Sequence, residues 1–300
     1  MPSLQSRALV AFLRLTRRKR IYSSAQAVAE GIARVRQQGP ARPSAGMTRR
    51  IGVEHRMLDG LDVYRLSPRI PQASERHVLY LHGGAYIRPI TTHHWRFLQA
   101  LVEQAGCTIT VPLYPLAPEA TCAQTVEAML GLYEQTCAEA GTASLTLLGD
   151  SAGGGLALAL CHALRERHAP APRSLVLICP WLDVAMTHPA IAAHEEHDPM
   201  LASVGLQEAG RLYAGELGVG HCHVSPIHGD HAGLPPTLLF AGTRDIAHYD
   251  ELLFADKAIE VGVELELCVG REMVHVWPIL PIPEGREALA RIVAHLRATS

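Results

Sequence analysis

Leu145-Thr146-Leu147-Leu148-Gly149-Asp150-Ser151-Ala152-Gly153-Gly154-Gly155 decides how this chain is read. An apolar run over Leu145–Leu148 reads as a buried strand, and the small residues from Gly153 to Leu160 read as a helix that follows at once. Gly149-x-Ser151-x-Gly153 therefore puts Ser151 at a strand-to-helix elbow. Such a turn crowds its neighbours, so only small residues fit beside the serine. The turn lifts the Ser151 hydroxyl above the sheet, and the helix start supplies positive potential and a free amide at Ala152. Taken alone, the glycines would also suit an anion-binding turn or a plain helix start. The strand before them and the helix after them favour a nucleophile.

Further apolar runs lie on both sides of the elbow: His77–His82, Cys107–Tyr114, Ser174–Cys179, Thr237–Gly242 and Glu264–Gly270, with the elbow strand itself over 144–149. Most are apolar throughout rather than alternating, as strands buried on both faces of a parallel sheet are. Helical spacing separates them, notably over Thr125–Ala138, Ala152–His168 and Glu251–Val261, and a closing helix is expected over Glu284–Ala298. Strand and helix in alternation define an α/β fold with a mostly parallel central sheet flanked by helices. Gly52–His55 and Leu61–Leu66 read as an antiparallel hairpin turned at Asp59-Gly60.

Two segments exceed a minimal sheet. Residues 1–45 hold two amphipathic patterns, Leu4, Ala8, Phe12 and Leu15, then Val28, Ile32 and Val35. The other is the stretch from Pro180 to Pro236, far longer than the dozen or so residues a crossover needs. The expected organisation is N-terminal cap helices over 1–45, a core over 46–182 and 234–300, and a helical cap insertion over 183–233.

Composition narrows the function classes. The 300 residues are 48% hydrophobic and 19% charged, enough to bury a large core. A net charge of −2 and 5% aromatic content argue against a nucleic-acid partner. No apolar run approaches the eighteen or so residues of a membrane span. Seven scattered cysteines without C-x-x-C spacing, and no signal-peptide pattern at the start, lead us to expect a cytoplasmic protein with reduced thiols. Charge is nevertheless uneven: eleven of the basic residues, against Glu30 alone, fall within residues 1–50.

A serine nucleophile needs a base at its hydroxyl, a carboxylate to fix that base's tautomer, and donors for the oxyanion. His82-Gly83-Gly84-Ala85 ends an earlier strand, and glycines there let backbone amides approach closely, so Gly83, Gly84 and Ala152 are candidate oxyanion donors. Asp245 follows the run Thr237–Gly242 by three residues, and His275 follows Gly270 by five, in the order serine, acid, histidine. Asp250, Asp230 and Glu272 are rivals for the acid, and His248 and His82 for the base. Tyr86, Trp95, Tyr114 and Trp181 lie near strand ends and are candidate substrate-binding residues, although core residues would look the same.

With these residues in view, the chain resembles the α/β-hydrolase esterases related to hormone-sensitive lipase. Four blocks match in order: His82-Gly83-Gly84, Tyr114-Pro115-Leu116-Ala117-Pro118-Glu119, Gly149-Asp150-Ser151-Ala152-Gly153-Gly154 and Met273-Val274-His275-Val276-Trp277. Leu234–Thr237 leading to Gly242-Thr243-Arg244-Asp245 is similar to the family's acid-bearing segment. The resemblance implies an α/β-hydrolase fold with Ser151 as nucleophile, Asp245 as acid and His275 as base. It also implies oxyanion amides at Gly83, Gly84 and Ala152, a cap made of the N-terminus and the insertion, and frequent homodimers. Ala85 departs from the family, which often has a third glycine there.

The expected activity is hydrolysis of carboxylic esters through an acyl-enzyme, with no metal and no cofactor, and the resemblance implies short to medium acyl chains. A lactone hydrolase using the same triad is the alternative, since a capped apolar cleft suits a compact cyclic ester. A binding protein on a dead hydrolase scaffold is disfavoured because all three triad positions are filled. His188, His194, His197, His221, His223, His228 and His231 crowd the insertion, but with no H-E-x-x-H helix they read as a solvated lid. Asp198-Pro199 reads as a helix start capped by Asp198. The basic N-terminal helix is expected to pack through Leu4, Phe12 and Leu15, with weak contact to an anionic membrane surface as the other reading.

Overall fold

The hairpin forms where Asp59-Gly60 places it. β1 (Gly52–Leu58) and β2 (Leu61–Ser67) pair antiparallel, and both turn residues adopt positive φ, 49° and 81°. A tight two-residue turn whose twist matches the strands requires that backbone. A computed structural model describes residues 1–70, 76–141 and 145–298. Ser144, where the elbow strand was expected to begin, lies outside the described residues.

Behind the hairpin come β3 (His77–Leu81), β4 (Thr108–Pro112), β5 (Leu145–Asp150), β6 (Ser174–Ile178), β7 (Thr237–Gly242) and β8 (Leu265–Gly270). The sheet order is β1-β2-β4-β3-β5-β6-β7-β8, parallel from β4 onward. Successive residues of each central strand feed opposite cores, as a two-residue side-chain period requires. Leu79, Leu81, Leu147, Leu177 and Leu239 face one layer; Val78, Tyr80, Leu148, Val176 and Phe240 face the other.

The first layer is covered by α5 (Cys122–Ala140), α6 (Ala152–Glu166) and α9 (His248–Glu260). The second is covered by α4 (Thr92–Ala105) and α10 (Pro283–Ala298). Helix α4 was not anticipated, although Trp95, Leu98, Leu101, Val102 and Ala105 lie on its buried face at helical spacing. Three helices come before the sheet, α1 (Leu4–Leu15), α2 (Ala25–Gln38) and α3 (Ala45–Arg50), and the insertion contains α7 (Ile191–His194) and α8 (Ser203–Ala214).

Helix α2 buries Val28, Ile32 and Val35, the face its spacing marks, and packs on α8. Helix α1 does not follow its pattern. Leu4, Phe12 and Leu15 are 77%, 59% and 83% exposed, while Ser6 and Leu13 are the buried residues. Polar anchoring overrides hydrophobic periodicity here. The Ser3 amide and the Ser3 and Ser6 hydroxyls donate to the Glu284 carboxylate of α10 at 2.6, 2.9 and 2.6 Å, which turns the Ser6 face inward.

Asp198 also departs from expectation. The next helix begins only at Ser203, and Asp198 instead accepts bonds from the amides of Met200 and Leu201 at 2.6 and 3.0 Å and from that of Ile246 at 2.9 Å. It thereby joins the insertion to the loop after β7.

A Cβ at Gly205 of α8 would lie 2.3–2.5 Å from Tyr22 backbone atoms, where the N-terminal segment crosses the insertion. Gly205→Ala is expected to destabilise the protein by about 1–3 kcal/mol. Gly131→Ala, in α5 with open space at its Cβ, should stabilise it by about 0.5–1 kcal/mol. Denaturant unfolding of the two variants checks both signs.

Candidate active site

Ser151 caps α6 with φ 53° and ψ −123°, a backbone that a non-glycine residue occupies only when its surroundings enforce it. They do so on both sides. The Ser151 amide donates to the Ile178 carbonyl at 2.9 Å, and its carbonyl accepts from the amides of Gly155 and Trp181 at 3.1 and 2.9 Å. Gly153 must be glycine because a Cβ there would lie 2.0 Å from the Leu81 carbonyl oxygen; one at Gly149 would lie 2.2 Å from that of Gly153.

The turn brings three distant residues into line. The Nε2 of His275 lies 2.7 Å from Ser151 Oγ, and its Nδ1 lies 2.6 Å from Asp245 Oδ2. A carboxylate oxygen can only accept, so Nδ1 carries the proton and Nε2 presents its lone pair to the hydroxyl. The other Asp245 oxygen accepts from the Ala247 amide at 3.0 Å, which fixes the carboxylate plane. Burial pushes His275 toward the neutral form, but the Asp245 charge and hydrogen bond, with Asp198 and Asp150 farther off, outweigh it and raise the imidazole above its ordinary pKa.

Among the described residues, none of the rivals for these positions hydrogen-bonds Ser151 Oγ or the His275 ring. Asp250 and Glu251 sit buried in α9; burial, and then neighbouring carboxylates, push Asp250 up to about 7 and Glu251 well above the carboxylate range. Glu272 pairs with Arg244 at 3.0 Å, and Asp230 pairs with Arg165 at 3.4 Å on the surface. The Nδ1 of His82 donates to the Gly83 carbonyl at 2.8 Å.

The glycine loop corrects one expectation. The amide of Gly83 donates to Asp150 Oδ1 at 2.9 Å and is not free for an oxyanion. The amides of Gly84, Ala85 and Ala152 donate to no partner among the described residues. Gly83 is needed for its size, since a Cβ there would lie 2.3 Å from Asp150 Oδ2 and 2.9 Å from Ser151 Cβ.

Asp150, the variable position inside the serine motif, holds this arrangement. Its buried carboxylate accepts from the Gly83 amide, the Tyr80 hydroxyl and, at 3.3 Å, the Nε2 of His94. His94 Nδ1 accepts from the Thr91 amide at 2.9 Å, so Nε2 holds the ring proton. Burial alone would raise the Asp150 pKa; His94 and these hydrogen bonds lower it below the ordinary value, keeping the group charged.

Arg36 of α2 supports the loop from outside. It donates to the carbonyls of Ile87 and Ala117 at 2.9 and 2.8 Å and makes a forked pair with Glu119, both bonds 2.8 Å. Neither Asp150 nor Arg36 was singled out from the sequence. Asp150 was visible inside the serine motif, whereas nothing local marks Arg36.

Of the four aromatics expected at the substrate site, Tyr86 and Trp181 stack beside the elbow with centroids 5.7 Å apart, and Tyr86 also stacks on Tyr213 at 3.6 Å. Tyr114 is a support: its hydroxyl donates to the His82 carbonyl at 2.5 Å and its ring stacks on His82. Trp95 is a core residue. It packs edge-on against Tyr64 in the opposite layer and donates to the Ala41 carbonyl at 2.8 Å.

Among the described residues, two groups bring three metal-capable atoms within 4.8 Å of one another: Cys179, Asp245 and Glu251, and Glu166, Cys222 and His223. The first suits a cation poorly, because burial holds the thiol and Glu251 protonated and Asp245 serves His275. The second sets His223 3.2 Å from Glu166, and burial holds His223 below its ordinary pKa. His194 and His197 stack on one another at 5.7 Å. No helix among the described residues is long and apolar enough to cross a membrane.

A parallel sheet with a serine elbow, an acid and a histidine at its strand ends defines the α/β hydrolases as a class. Residues 78–279 match the family described as the alpha/beta hydrolase fold, and the chain belongs to it, among the esterases related to hormone-sensitive lipase. An acetyl-hydrolase of Streptomyces hygroscopicus is 34% identical over 75% of this chain and 76% of its own. A triacylglycerol lipase of Mycobacterium tuberculosis is 32% identical over 76% of this chain, which spans only 47% of that protein. The solved structure of an esterase from the bacterial hormone-sensitive lipase family superposes with TM-score 0.83 at 27% identity, covering 100% of this chain and 99% of that one.

Asp245→Asn removes the charge that holds the imidazole proton. NMR titration should give His275 a pKa above 6.5 in the wild type and a lower one in the variant. An unchanged value would detach Asp245 from His275.

Proposed function

We propose that the protein hydrolyses short to medium carboxylic esters through an acyl-enzyme on Ser151. The observation that carries this is the hydrogen-bonded line from Ser151 Oγ through His275 to Asp245, set on a strained elbow. His275 Nε2 takes the hydroxyl proton as Ser151 Oγ attacks the ester carbonyl. The amides of Ala152 and Gly84, with Ala85 beside them, receive the developing oxyanion. The His275 imidazolium is stabilised by Asp245 and returns its proton to the departing alcohol oxygen. Water then enters, gives a proton to His275 and attacks the acyl carbon; collapse releases the acid and restores Ser151.

The short-chain preference rests on the buried stack of Tyr86, Trp181 and Tyr213 close to the serine, which favours a shallow acyl site, and on likeness to an acetyl-hydrolase. In this reading residues 183–233, with α2 across them, form the cap over the strand ends.

A p-nitrophenyl ester series from acetate to palmitate, run beside Ser151→Ala, tests the proposal. Activity should peak at short chains and fall on the order of 10⁶-fold in the variant. An unaffected variant would sink the acyl-enzyme, and a maximum at palmitate would reject the chain preference. Protonated His275 cannot accept the serine proton, so kcat/KM should climb with pH through a midpoint above 6.5.

A further inference from the structure

Helix α1 is apolar on two faces, and only one is used. The buried side carries Ser6 and Leu13, with half-buried Leu9 packed on the core beneath α10. At 3.6 residues per turn, Leu4, Ala8, Phe12 and Leu15 fall within an arc of about 80° on the opposite side. All four are exposed, three of them large side chains at 59–83%. Arg7 and Arg14 border this arc, and Arg17, Arg18 and Arg20 follow directly, all exposed. None of these five arginines forms an ion pair among the described residues.

Charge selects the occupant. Residues 1–20 carry six basic side chains and no acid, although the whole chain has net charge −2. The exposed arginines form no ion pair with that acidic remainder among the described residues, although Arg7 and Arg14 border a cavity shared with Arg244 and Glu272. A second copy meeting this face symmetrically would set like charges against one another. An anionic lipid surface complements both features, taking the apolar arc into its interfacial region and the arginines onto its phosphates.

We propose that α1 docks this protein on anionic lipid bilayers through Leu4, Ala8, Phe12 and Leu15, with Arg7, Arg14 and the Arg17–Arg20 run on the headgroups. The helix is already capped by Ser3 and fastened to Glu284, so docking requires no folding of the segment. Docking also orients the insertion. The turn after α1 holds it through Lys19, which donates to the Glu195 carbonyl at 2.5 Å, and through the Tyr22 backbone against Gly205.

Flotation of the full chain tests this, with vesicles of phosphatidylcholine alone or mixed with phosphatidylglycerol. The wild type should float only with the mixed vesicles and be released by high salt. Phe12→Ser/Leu15→Ser should weaken binding by about tenfold or more, and Arg7→Gln/Arg14→Gln by roughly 25-fold. Thermal unfolding should match the wild type in both, since all four side chains are exposed. No flotation with anionic vesicles, or flotation unchanged in the variants, would overturn the proposal. So would a wild-type dimer in size-exclusion chromatography that Phe12→Ser/Leu15→Ser splits without any vesicle binding, because the face would then belong to a second copy. Flotation is read without any ester, so the outcome is independent of the proposed activity.

Discussion

One buried carboxylate ties the two halves of the site together. Asp150 ends β5 one residue before the serine, yet its oxygens hold the side chain of Tyr80 from β3, the amide of Gly83 from the loop after it and the side chain of His94 from α4. A charged group removed from water needs several donors to remain stable. Here those donors belong to β3, to the glycine loop that ends it and to the helix that follows the loop. Satisfying Asp150 thus places Gly84 and Ala85 against the elbow, with the close backbone contact at Gly83 leaving no room for adjustment.

Around His275 the acids divide by ionisation. Asp245 bonds the imidazole and Asp150 stays charged, while Glu251 and Asp250 are pushed upward by burial and then by neighbouring carboxylates, Asp245 among them. Asp198 lies between these groups, raised to about 6 by burial and then by Asp245, and it holds the Ile246 amide next to the proposed acid. Packing several carboxyls near one histidine without mutual repulsion requires that some stay protonated. The arrangement leaves negative charge where an imidazolium would form.

Much of this was legible in the sequence, for reasons that differ by element. Central strands announce themselves because burial on both faces removes polar residues, and the hairpin because Asp59-Gly60 suits one turn. The hydrogen-bonded line of Ser151, His275 and Asp245 was readable because a serine nucleophile would demand particular residues in a particular chain order. Long-range polar bonds were not readable. Ser6 turned α1 over by bonding Glu284, 278 residues away. Asp198 looked like a helix cap; it does hold the local amides of Met200 and Leu201, but it starts no helix there and also clamps Ile246. Trp95 has the composition of a cleft residue and the position of a core one, a distinction made by α4, which the sequence reading passed over. Gly83 has the motif of a donor loop, and only the approach of Asp150 reveals that its amide is spent.

Arg36 gives the N-terminal segment a different standing from that of a cover. Its guanidinium spans the carbonyls of Ile87 and Ala117, so a residue from the second helix of the chain clasps the loop that follows the glycines to the turn after β4. The segment is a splint: the reactive loop takes its set from a part of the polypeptide with no chemistry of its own. A change at position 36 would then reset the loop beside the serine while every residue of the serine motif stayed the same.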